Sequence, residues 1–395
     1  MRVMLSCGEP SGDLYAGALV AALKQREAAI DVFGLGGQRF QAAGGRLIGD
    51  FRGLAVTGII EVLRVLPDSY SMFRRLVDEA KRERPDVLVL IDYPDFNFRL
   101  MAAVRRLGVP IVYYVSPQLW AWRAGRIQTM KALVDLVLPI FPFEETIYRD
   151  EGMQAKFVGH PLVDLATVTE SREGLAARLE LDPKKPIVAL LPGSRHNELR
   201  RLVPVLAAAV PRIASEVAGT QFLVARAPNV GDSYFAPFHG VGVPVRVVEG
   251  QTDNVLAASD AVVTASGTAT IQTALHGTPM VVVYRLSPVT YKLGKPLVRV
   301  SMYSMVNLVA GERVVEELIQ EQCTPEAVTT STVELLTNED RVADIKEQLA
   351  IVRQRLGGPG ASGRAADAIL DLLSTKSAEH TEGAEDTEGR RRSGR

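Results

Sequence analysis

The stretches Gly8-Glu-Pro-Ser-Gly-Asp13 and Pro192-Gly-Ser-Arg195 decide the fold of this chain. Each follows an apolar run that predicts a β-strand, Val3 to Cys7 for the first and Ile187 to Leu191 for the second, and each precedes a helical pattern. A glycine-rich turn between a strand and a helix directs backbone N–H groups and the positive end of the helix dipole at a ligand above the sheet. Two such turns in two halves predict an α/β protein in which two open domains face one another across a cleft, the architecture of an enzyme that joins two substrates.

The composition fits two hydrophobic cores and limits the partners to expect. The chain has 395 residues, 47% of them hydrophobic, which predicts two or three domains. The formal net charge is -1 with acidic and basic residues interspersed, so no nucleic-acid partner is expected. Cys7 and Cys323 stand far apart, which argues against a disulfide framework and favours a reducing compartment.

The sequence gives no sign of a targeting or membrane-spanning segment. Met1 to Cys7 is too short an apolar run for a secretory signal. No uninterrupted apolar stretch approaches the ~18 residues that a transmembrane helix needs. We therefore expect a cytoplasmic protein that is soluble or lies on a membrane surface.

Short apolar runs alternate with helical patterns through both halves. The further strands that these runs predict are Asp31 to Leu35, Val87 to Ile91, Ile111 to Val115, one within Leu133 to Ile140, Gln221 to Ala225, Val245 to Val248, Ala261 to Thr264 and Met280 to Tyr284. Strands separated by helices indicate βαβ units and hence parallel, doubly wound sheets.

The crossing between the two domains is predicted at Phe157 to Asp164, because polar helix-forming sequence follows before the next strand. We therefore expect one domain over 1–165 and a second over 166–350, followed by helices over 351–373. From residue 374 onward the composition turns to Ser, Thr, Glu, Gly and Arg without an apolar anchor. This predicts a disordered tail over 374–395.

Asp92 is the candidate general base. It is the first polar residue after the buried strand Val87 to Ile91, so its carboxylate emerges at the edge where open α/β sheets bind ligands. Partial burial would raise the pKa of that carboxyl toward the range of a general base. In the alternative, Asp92 or Asp95 caps the next helix, for which Asp95 is the better candidate, and Asn97 only completes a turn.

The second half offers a candidate diphosphate site. Gly193, Ser194 and Arg195 combine a backbone turn, a hydroxyl and a guanidinium whose planar fork makes bidentate bonds to phosphate. The stretch Ala265-Ser-Gly-Thr-Ala-Thr270 opens another helix, and its small residues let a phosphate approach the first N–H groups. Either loop alone is an ordinary turn sequence, but both in one domain indicate a nucleotide-diphosphate site. Without a Walker motif or an acidic pair for a metal, Arg195 and the helix dipoles would meet the phosphate charge.

Both tryptophans lie in Val115-Ser-Pro-Gln-Leu-Trp-Ala-Trp-Arg123. Two indoles so close could line a sugar or an acyl chain, while core packing is an equal alternative for at least one of them. His160, which precedes Pro161 in the crossing, fits a hinge hydrogen bond as well as catalysis. The other histidines show no metal-ligand spacing.

The stretch Leu54 to Leu66 is apolar on nearly every side of a helix. A helix of this kind is usually buried. The alternative is an exposed face that meets lipid or an acyl substrate, for which the nearby Arg64, Arg74 and Arg75 would suit an anionic surface.

Seven motifs together resemble the lipid-A-disaccharide synthase family, from the first strand to about Leu373. In chain order they are Gly8-Glu-Pro-Ser-Gly-Asp13, Ile91-Asp-Tyr-Pro-Asp-Phe-Asn97, Tyr114-Val-Ser-Pro-Gln-Leu-Trp-Ala-Trp-Arg123, Phe157-Val-Gly-His-Pro161, Leu190-Leu-Pro-Gly-Ser-Arg195, Ala265-Ser-Gly-Thr-Ala-Thr270 and Val306-Asn-Leu-Val-Ala-Gly311. Families that share only the fold, such as the peptidoglycan glycosyltransferase and the UDP-sugar epimerase, lack the run with two tryptophans.

The resemblance implies a GT-B fold of two Rossmann-like domains, the first binding the acceptor and the second the UDP-sugar, with the last helices packing back toward the first domain. It implies an inverting, metal-independent hexosyltransferase of lipid A (lipopolysaccharide) biosynthesis. Its substrates would be UDP-2,3-diacylglucosamine and 2,3-diacylglucosamine 1-phosphate. The sugar would move to the acceptor 6-hydroxyl, which gives the β(1→6) disaccharide 1-phosphate and UDP. No cofactor is implied, because the UDP-sugar is a substrate.

The resemblance also assigns roles to residues, with Asp92 as the general base on the acceptor hydroxyl. The residues that it places at the donor UDP are Gly193, Ser194, Arg195, Ser266, Gly267, Thr268, Ala269 and Gln272. The residues that it places in the cleft or at the acceptor are Ser11, Gly12, Asp13, Asn97, Trp120, Trp122, Arg123 and Asn307. Gln272 departs from the family, which usually has a Glu there to hold the ribose hydroxyls. A Gln carbonyl accepts a hydrogen bond without charge, so ribose contact would be weaker.

The resemblance favours a membrane-binding surface as the interpretation of Leu54 to Leu66, because a substrate with long acyl chains is located in a bilayer. Ile59, Ile60, Leu63 and Leu66 are then expected to contact acyl chains or the inner face of the cytoplasmic membrane, with which the protein would associate peripherally. A homodimer is left open.

Two alternatives remain beside this function. One is another UDP-sugar enzyme of the same fold, either an epimerase or a transferase with a soluble acceptor. The other is a non-catalytic UDP-sugar-binding paralogue, for which Gln272 is the one hint.

Overall fold

The chain divides into two compact units, each built on one parallel sheet. The computed structural model describes the backbone of residues 1–52, 59–122, 125–228, 230–287, 291 and 300–392, and within these ranges it leaves the side chains of 59–65, 122 and 377–392 undescribed. The first unit comprises Met1–Val56, Ile60–Pro161 and Pro359–Arg395, and the second comprises Thr57–Ile59 and Leu162–Gly358. The boundary predicted after residue 165 lies four residues beyond the crossing that precedes Leu162, and the one predicted after residue 350 lies eight residues before the crossing that precedes Pro359.

The sheet of the first unit has six parallel strands in the order β3-β2-β1-β4-β5-β6. They are β1 (Arg2–Cys7), β2 (Asp31–Gly36), β3 (Arg46–Asp50), β4 (Val87–Ile91), β5 (Ile111–Tyr114) and β6 (Leu136–Leu138). The chain starts in the middle, builds outward to β3, and then crosses to β4 on the other side of β1. The connections that follow β1 and β4 therefore leave in opposite directions, which opens a crevice at the carboxyl edge between these two strands.

Helices accompany this sheet and return to it at the end of the chain. They are α1 (Pro10–Arg26), α2 (Gln38–Ala42), α3 (Ile59–Glu83), α4 (Pro94–Arg105), α5 (Leu119–Trp122), α6 (Arg126–Leu133), α7 (Pro142–Asp150) and the last helix, α16 (Ala361–Arg392). The last helix packs on α1, where Arg26 donates two hydrogen bonds to the Asp367 carboxylate.

The second unit repeats the design with the order β12-β11-β10-β7-β8-β9, again parallel. Its strands are β7 (Ile187–Leu191), β8 (Gln221–Arg226), β9 (Val245–Glu249), β10 (Ala261–Ala265), β11 (Met280–Tyr284) and β12 (Glu316–Ile319). Its helices are α8 (Leu162–Leu165), α9 (Arg172–Arg178), α10 (His196–Glu216), α11 (Thr252–Ala257), α12 (Thr268–Leu275), α13 (Met305–Ala310), α14 (Pro325–Thr337) and α15 (Glu339–Arg355), with short 3-10 helices at Asp232–Phe238 and Gln320–Gln322. Here the crevice opens between β7 and β10.

The predicted α/β class with two doubly wound sheets is confirmed, and two strands were missed. The strands found by their apolar runs, such as β4 and β7, are buried at every residue, because helices cover both faces of a parallel sheet. The missed strands, β3 and β12, lie at the outer edges and begin with exposed residues. An edge strand does not need a continuous apolar run, so its sequence resembles a loop.

The last helix departs from the predicted tail over 374–395. It continues through Ser374, whose hydroxyl donates to the Leu370 carbonyl at 3.0 Å. Lys376 then donates to the Asp135 carboxylate at 2.7 Å, beside β6. The backbone is helical from Ala361 to Arg392, and the ion pair of Lys376 ties the helix to the first unit. The side chains beyond Lys376 lie outside the described part.

His160 is a core residue of the first unit. It is 1% exposed and its ring packs on those of Tyr15 and Phe141, at centroid distances of 6.0 and 5.2 Å. Burial lowers the pKa of His160 to about 3. The ring contacts with Tyr15 and Phe141 give His160 a packing role in this core.

Asp13 joins α1 to α2. Its buried carboxylate accepts hydrogen bonds from the backbone N–H groups of Gly37, Arg39 and Phe40 at 2.7, 2.9 and 3.0 Å. It thus caps the first turn of α2 from a neighbouring helix. The expectation that Asp13 lines the cleft is wrong, because its oxygens are committed to these N–H groups.

We predict that Asp13→Ala destabilises the first unit by at least about 2 kcal/mol, because several buried N–H groups lose their acceptor together. Asp13→Asn should lie between, since one amide oxygen remains. Both tryptophans of the chain lie in the first unit, so urea unfolding followed by tryptophan fluorescence measures that unit.

The exposed Glu27→Ala change in the same region is the matched control. An Asp13→Ala midpoint equal to that of the control would show that the cap contributes nothing.

Candidate functional site

Two loops meet at the crevice of the first unit. One follows β1 and opens α1, and the other follows β4 and opens α4. A Cβ atom on Gly8 would lie 2.2 Å from the Tyr93 ring, so a glycine is needed for the two loops to pack together. Gly12 is buried and Ser11 half-buried in the first turn of α1. A Cβ on Gly12 would lie 3.3 Å from Cys7, so Gly12 sets how closely α1 approaches the sheet.

Asp92 stands directly after β4 on an unusual backbone. Its φ angle is +44°, in the left-handed region that non-glycine residues seldom adopt. The Asp92 carbonyl accepts from the Tyr113 hydroxyl at 2.8 Å and from Asn97 Nδ2 at 2.7 Å, while its N–H donates to the Val115 carbonyl at 3.1 Å. These three bonds hold a conformation that would otherwise be costly. The half-buried Asp92 carboxylate is therefore carried on a fixed backbone at the crevice.

Asn97 supports Asp92 and does not line the cleft. It is fully buried, and its Oδ1 accepts from the Ser6 hydroxyl at 2.7 Å while its Nδ2 donates to Asp92. The amide thus links the end of β1 to the end of β4. The expected cleft or acceptor contact of Asn97 is wrong because both ends of its amide are used within the protein.

The sequence analysis missed Glu144, a buried carboxyl whose pKa is affected by the charge of Asp92. Its carboxyl is fully buried in the first turn of α7 and accepts from Trp120 Nε1 at 3.1 Å and from the Ser116 hydroxyl at 3.2 Å. Burial raises the pKa of Glu144 to about 8, and the charge of Asp92 adds to the rise. The sequence does not indicate that Glu144 is buried, because an acidic residue in the first turn of a helix is common.

The two tryptophans can be placed only in part. Trp120 is half-buried, with its indole N–H on Glu144 and its ring edge-on to Phe143 at 5.0 Å. The Trp122 side chain and the whole of Arg123 lie outside the described residues. The expectation that Trp122 and Arg123 contact the acceptor stays a prediction.

In the second unit, the loop after β7 exposes Ser194 and Arg195 at the start of α10. Gly193 has a φ angle of +101°, and a Cβ there would lie 2.4 Å from the Glu198 carboxylate, so the turn requires glycine. Arg195 Nη1 lies 3.3 Å from Glu198 Oε1, in an ion pair whose arginine side chain is 45% exposed and whose glutamate side chain is 12% exposed. A contact of this kind is weak, so Arg195 can exchange it for a stronger anion.

The loop after β10 forms the other wall of the same crevice, because β10 and β7 are neighbours. Gly267 precedes α12, and Thr268 is exposed while Ser266 and Ala269 are half-buried. The Ser266 hydroxyl donates to the Tyr303 carbonyl at 2.8 Å, which ties the loop to the segment before α13. The N-termini of α10 and α12 thus both open at the carboxyl edge of this sheet, where helix dipoles and N–H groups attract phosphate.

Gln272 is held by a carboxylate that the sequence analysis did not single out. Its Nε2 donates to Asp253 Oδ1 at 2.7 Å, and His276 Nε2 lies 2.7 Å from the same oxygen. Gln272 therefore has a fixed orientation on α12, with a negative charge next to it although it carries none itself.

Asn307 does not line a cleft either. It is fully buried, its Oδ1 accepts from the N–H groups of Val314 and Val315, and its Nδ2 donates to Glu317 at 2.9 Å. Glu317 in turn accepts from the Ser304 N–H at 2.7 Å. The amide folds the chain between α13 and β12, so the expected cleft contact of Asn307 is wrong for a structural reason.

The part of the chain that the structure describes contains no group of three or more His, Cys, Asp or Glu side chains arranged to hold a metal. Cys7 and Cys323 are both buried as free thiols, in different units. Within the same described residues, none of the helices is both long and apolar enough to cross a membrane.

Comparison with solved structures agrees with the topology. The UDP-GlcNAc 2-epimerase of Neisseria meningitidis, solved with UDP-GlcNAc bound, aligns with a TM-score of 0.68 and 12% identity over 94% of this chain and all (100%) of that one. MurG of Acinetobacter baumannii aligns with a TM-score of 0.56 and 16% identity over 94% and 99%. Identities this low concern the fold alone, and they confirm an α/β chain with two Rossmann-like domains of the GT-B class.

Comparison of sequences is more specific. A family model for lipid-A-disaccharide synthetase matches residues 3–367. The chain is 43% identical over 373 residues to the lipid-A-disaccharide synthase of Myxococcus xanthus (strain DK1622), covering 94% of this chain and 97% of that one. It is 39% identical over 379 residues to the same enzyme of Geobacter metallireducens (strain ATCC 53774 / DSM 7210 / GS-15), covering 95% and 98%. The chain therefore belongs to the lipid-A-disaccharide synthetase family and is a glycosyltransferase of lipid A disaccharide synthesis.

Proposed function

We propose that the chain transfers 2,3-diacylglucosamine from UDP to the 6-hydroxyl of 2,3-diacylglucosamine 1-phosphate, with inversion at the anomeric carbon. The observation that carries this proposal is Asp92, a carboxylate on a fixed backbone at the ligand-binding edge of the first sheet. Family membership supports the coarser statement that the substrates are a nucleotide sugar and a phosphorylated sugar.

In the proposed mechanism, Asp92 takes the proton of the acceptor 6-hydroxyl as the oxygen attacks the anomeric carbon of the donor. The bond from that carbon to the diphosphate oxygen breaks with its electron pair, and UDP leaves carrying the negative charge. Attack on the face opposite the leaving group gives the β(1→6) linkage. Because the base is already held in position, the entropic cost of orienting it does not add to the activation free energy.

The second unit would bind the donor. Arg195 would leave its weak contact with Glu198 for the diphosphate, because a guanidinium makes two charge-assisted bonds to phosphate oxygens. Gly193, Ser194 and the residues from Ser266 to Ala269 would supply amide and hydroxyl donors at the N-termini of α10 and α12. Gln272 would accept a ribose hydroxyl. This donor set meets the phosphate charge without a metal, and we propose that none is needed.

We also propose that α3 docks the protein on the inner face of the cytoplasmic membrane. Leu66 and Tyr70 are 40% and 60% exposed, and Arg74 follows at the same spacing. Residues four apart share one helix face, so apolar groups and a cation are presented together. The opposite face carries Leu76 and Ala80 into the core. The side chains of Ile59, Ile60 and Leu63, the other predicted contacts, lie outside the described part.

We predict that the protein, incubated in detergent with UDP-2,3-diacylglucosamine and 2,3-diacylglucosamine 1-phosphate, forms a tetraacyl disaccharide phosphate detectable by mass spectrometry. Asp92→Asn should lower the rate by about 10²- to 10⁴-fold, the usual contribution of a general base. UDP affinity should change little, because Asp92 is not among the proposed donor residues.

The matched control is Asp95→Asn, which removes a neighbouring exposed carboxylate that pairs with Arg126. Unchanged turnover in Asp92→Asn would remove Asp92 from the mechanism. A donor that is epimerised or hydrolysed without disaccharide would contradict the function itself.

We predict a different signature for Arg195. Arg195→Ala should weaken UDP binding by at least about 10-fold, because the diphosphate loses a charge-assisted fork. Arg195→Lys should recover only part, since an ammonium cannot form the bidentate contact. Isothermal titration calorimetry with UDP measures both.

Arg200→Ala, an exposed change one turn further along α10, controls for net charge. If Arg195→Ala bound UDP as tightly as this control, the diphosphate would have to bind elsewhere.

We predict that the double change Leu66→Glu and Tyr70→Glu reduces binding to vesicles that contain phosphatidylglycerol, because charge on the exposed face opposes insertion among the acyl chains. Flotation of the protein with the vesicles measures the bound fraction. Turnover of substrates in detergent micelles should stay near the unaltered level.

Val168→Glu places a charge on an exposed apolar residue of the second unit and serves as the control. The dock would be wrong if the unaltered protein stayed in the soluble fraction, or if the double variant floated equally well.

A further inference from the structure

The segment Ser116–Trp120, here called the tryptophan segment, is anchored to one helix. Glu144 accepts from Ser116 at one oxygen and from Trp120 at the other. One helical turn later, the Tyr148 hydroxyl donates to the Pro117 carbonyl at 2.9 Å. Phe143 adds the edge-on contact with the Trp120 ring. Side chains of α7 thus hold the segment at both of its ends and in its middle.

The same segment is joined to Asp92. It starts one residue after Val115, whose carbonyl accepts the Asp92 N–H at 3.1 Å and whose φ angle is +58°. The β4 and β5 strands that carry Asp92 and Val115 are neighbours in the sheet. A shift of the tryptophan segment that moves Val115 would therefore disturb the hydrogen bond from the Asp92 N–H to the Val115 carbonyl.

Packing alone does not explain a carboxyl at position 144, because an apolar side chain would fill the same space at a lower free-energy cost. The side chain is 0% exposed, and burying a polar group in place of an apolar one of similar size costs free energy that hydrogen bonds only partly return. Glu144 offers instead two acceptors at a fixed separation, one for a hydroxyl and one for an indole N–H. The bond to Trp120 Nε1 orients the indole ring, and the bond to the Ser116 hydroxyl holds the start of the segment.

We propose that Glu144 is a positioning residue, which holds the tryptophan segment in the one arrangement that binds the acceptor sugar beside Asp92. The inference rests on the proposed function for the identity of the acceptor. The orientation of Trp120 by Glu144 does not depend on it.

The test begins with a readout that needs no turnover. In a Trp122→Phe background Trp120 is the one remaining tryptophan, so its emission reports the indole environment. Glu144→Ala should shift this emission and raise its accessibility to acrylamide, whereas Glu144→Gln should retain both, because an amide can accept from the indole and bond the hydroxyl. Glu145→Gln is the matched control, since this neighbour faces Arg149 and the Phe157 N–H instead.

Kinetics in the native background then test the function. Glu144→Ala should raise the KM for the acceptor at least about 10-fold while the affinity for UDP changes less than about 2-fold, and Glu144→Gln should restore the KM to within about 3-fold. A purely structural loss would lower the active fraction and leave both constants alone. If Glu144→Ala fails to fold, Ser116→Ala and Trp120→Phe remove the two donors one at a time and should raise the same KM.

The outcomes separate the two proposals. Unchanged Trp120 emission in Glu144→Ala, or an unchanged acceptor KM in every variant, would overturn the positioning role. If Glu144→Ala alters the Trp120 emission but the unaltered protein makes no disaccharide, the positioning of Trp120 stands and the proposed function is contradicted.

Discussion

In each unit, two central parallel strands end side by side and the chain leaves them in opposite directions. This strand order, the same in both sheets, opens a crevice at the carboxyl edge between β1 and β4 and between β7 and β10. The glycine loops and Asp92 all follow one of these four strands. The rest of the site depends on that placement, because backbone N–H groups and helix N-termini point out of the sheet only at this edge.

Much of the polar chemistry in these loops serves the loops themselves. Asp13 caps α2, Asn97 braces Asp92, and Asn307 folds the chain before β12. Each was expected at a ligand, and each is buried instead. A rigid loop near a sheet edge has backbone groups that must find partners away from water, and short amides and carboxylates provide them. Asp92 is half-buried and Arg195 is exposed, so this scaffold presents both of them at the sheet edges.

The two units differ in electrostatics in the way that the proposed chemistry requires. The first carries the Asp92 carboxylate at its crevice, and burial together with the charge of Asp92 raises the pKa of Glu144. The second exposes Arg195 and the N-termini of α10 and α12. A proton acceptor suits the first environment, and a diphosphate suits the second. In the proposed reaction without a metal, the second unit would have to meet the charge on the leaving group.

The sequence by itself determined the α/β class, most of the strands and the positions of both glycine loops, because buried parallel strands are continuous apolar runs and tight strand-to-helix turns need glycine. Tertiary structure alone decided which polar side chain faces outward. Glu144 and Asp253 lie 28 and 19 residues from their partners Ser116 and Gln272, so no local pattern reveals them. The edge strands β3 and β12 were not predicted for a related reason. A half-exposed strand is held in its conformation by pairing with the neighbouring strand, so its own sequence need not show a strand pattern.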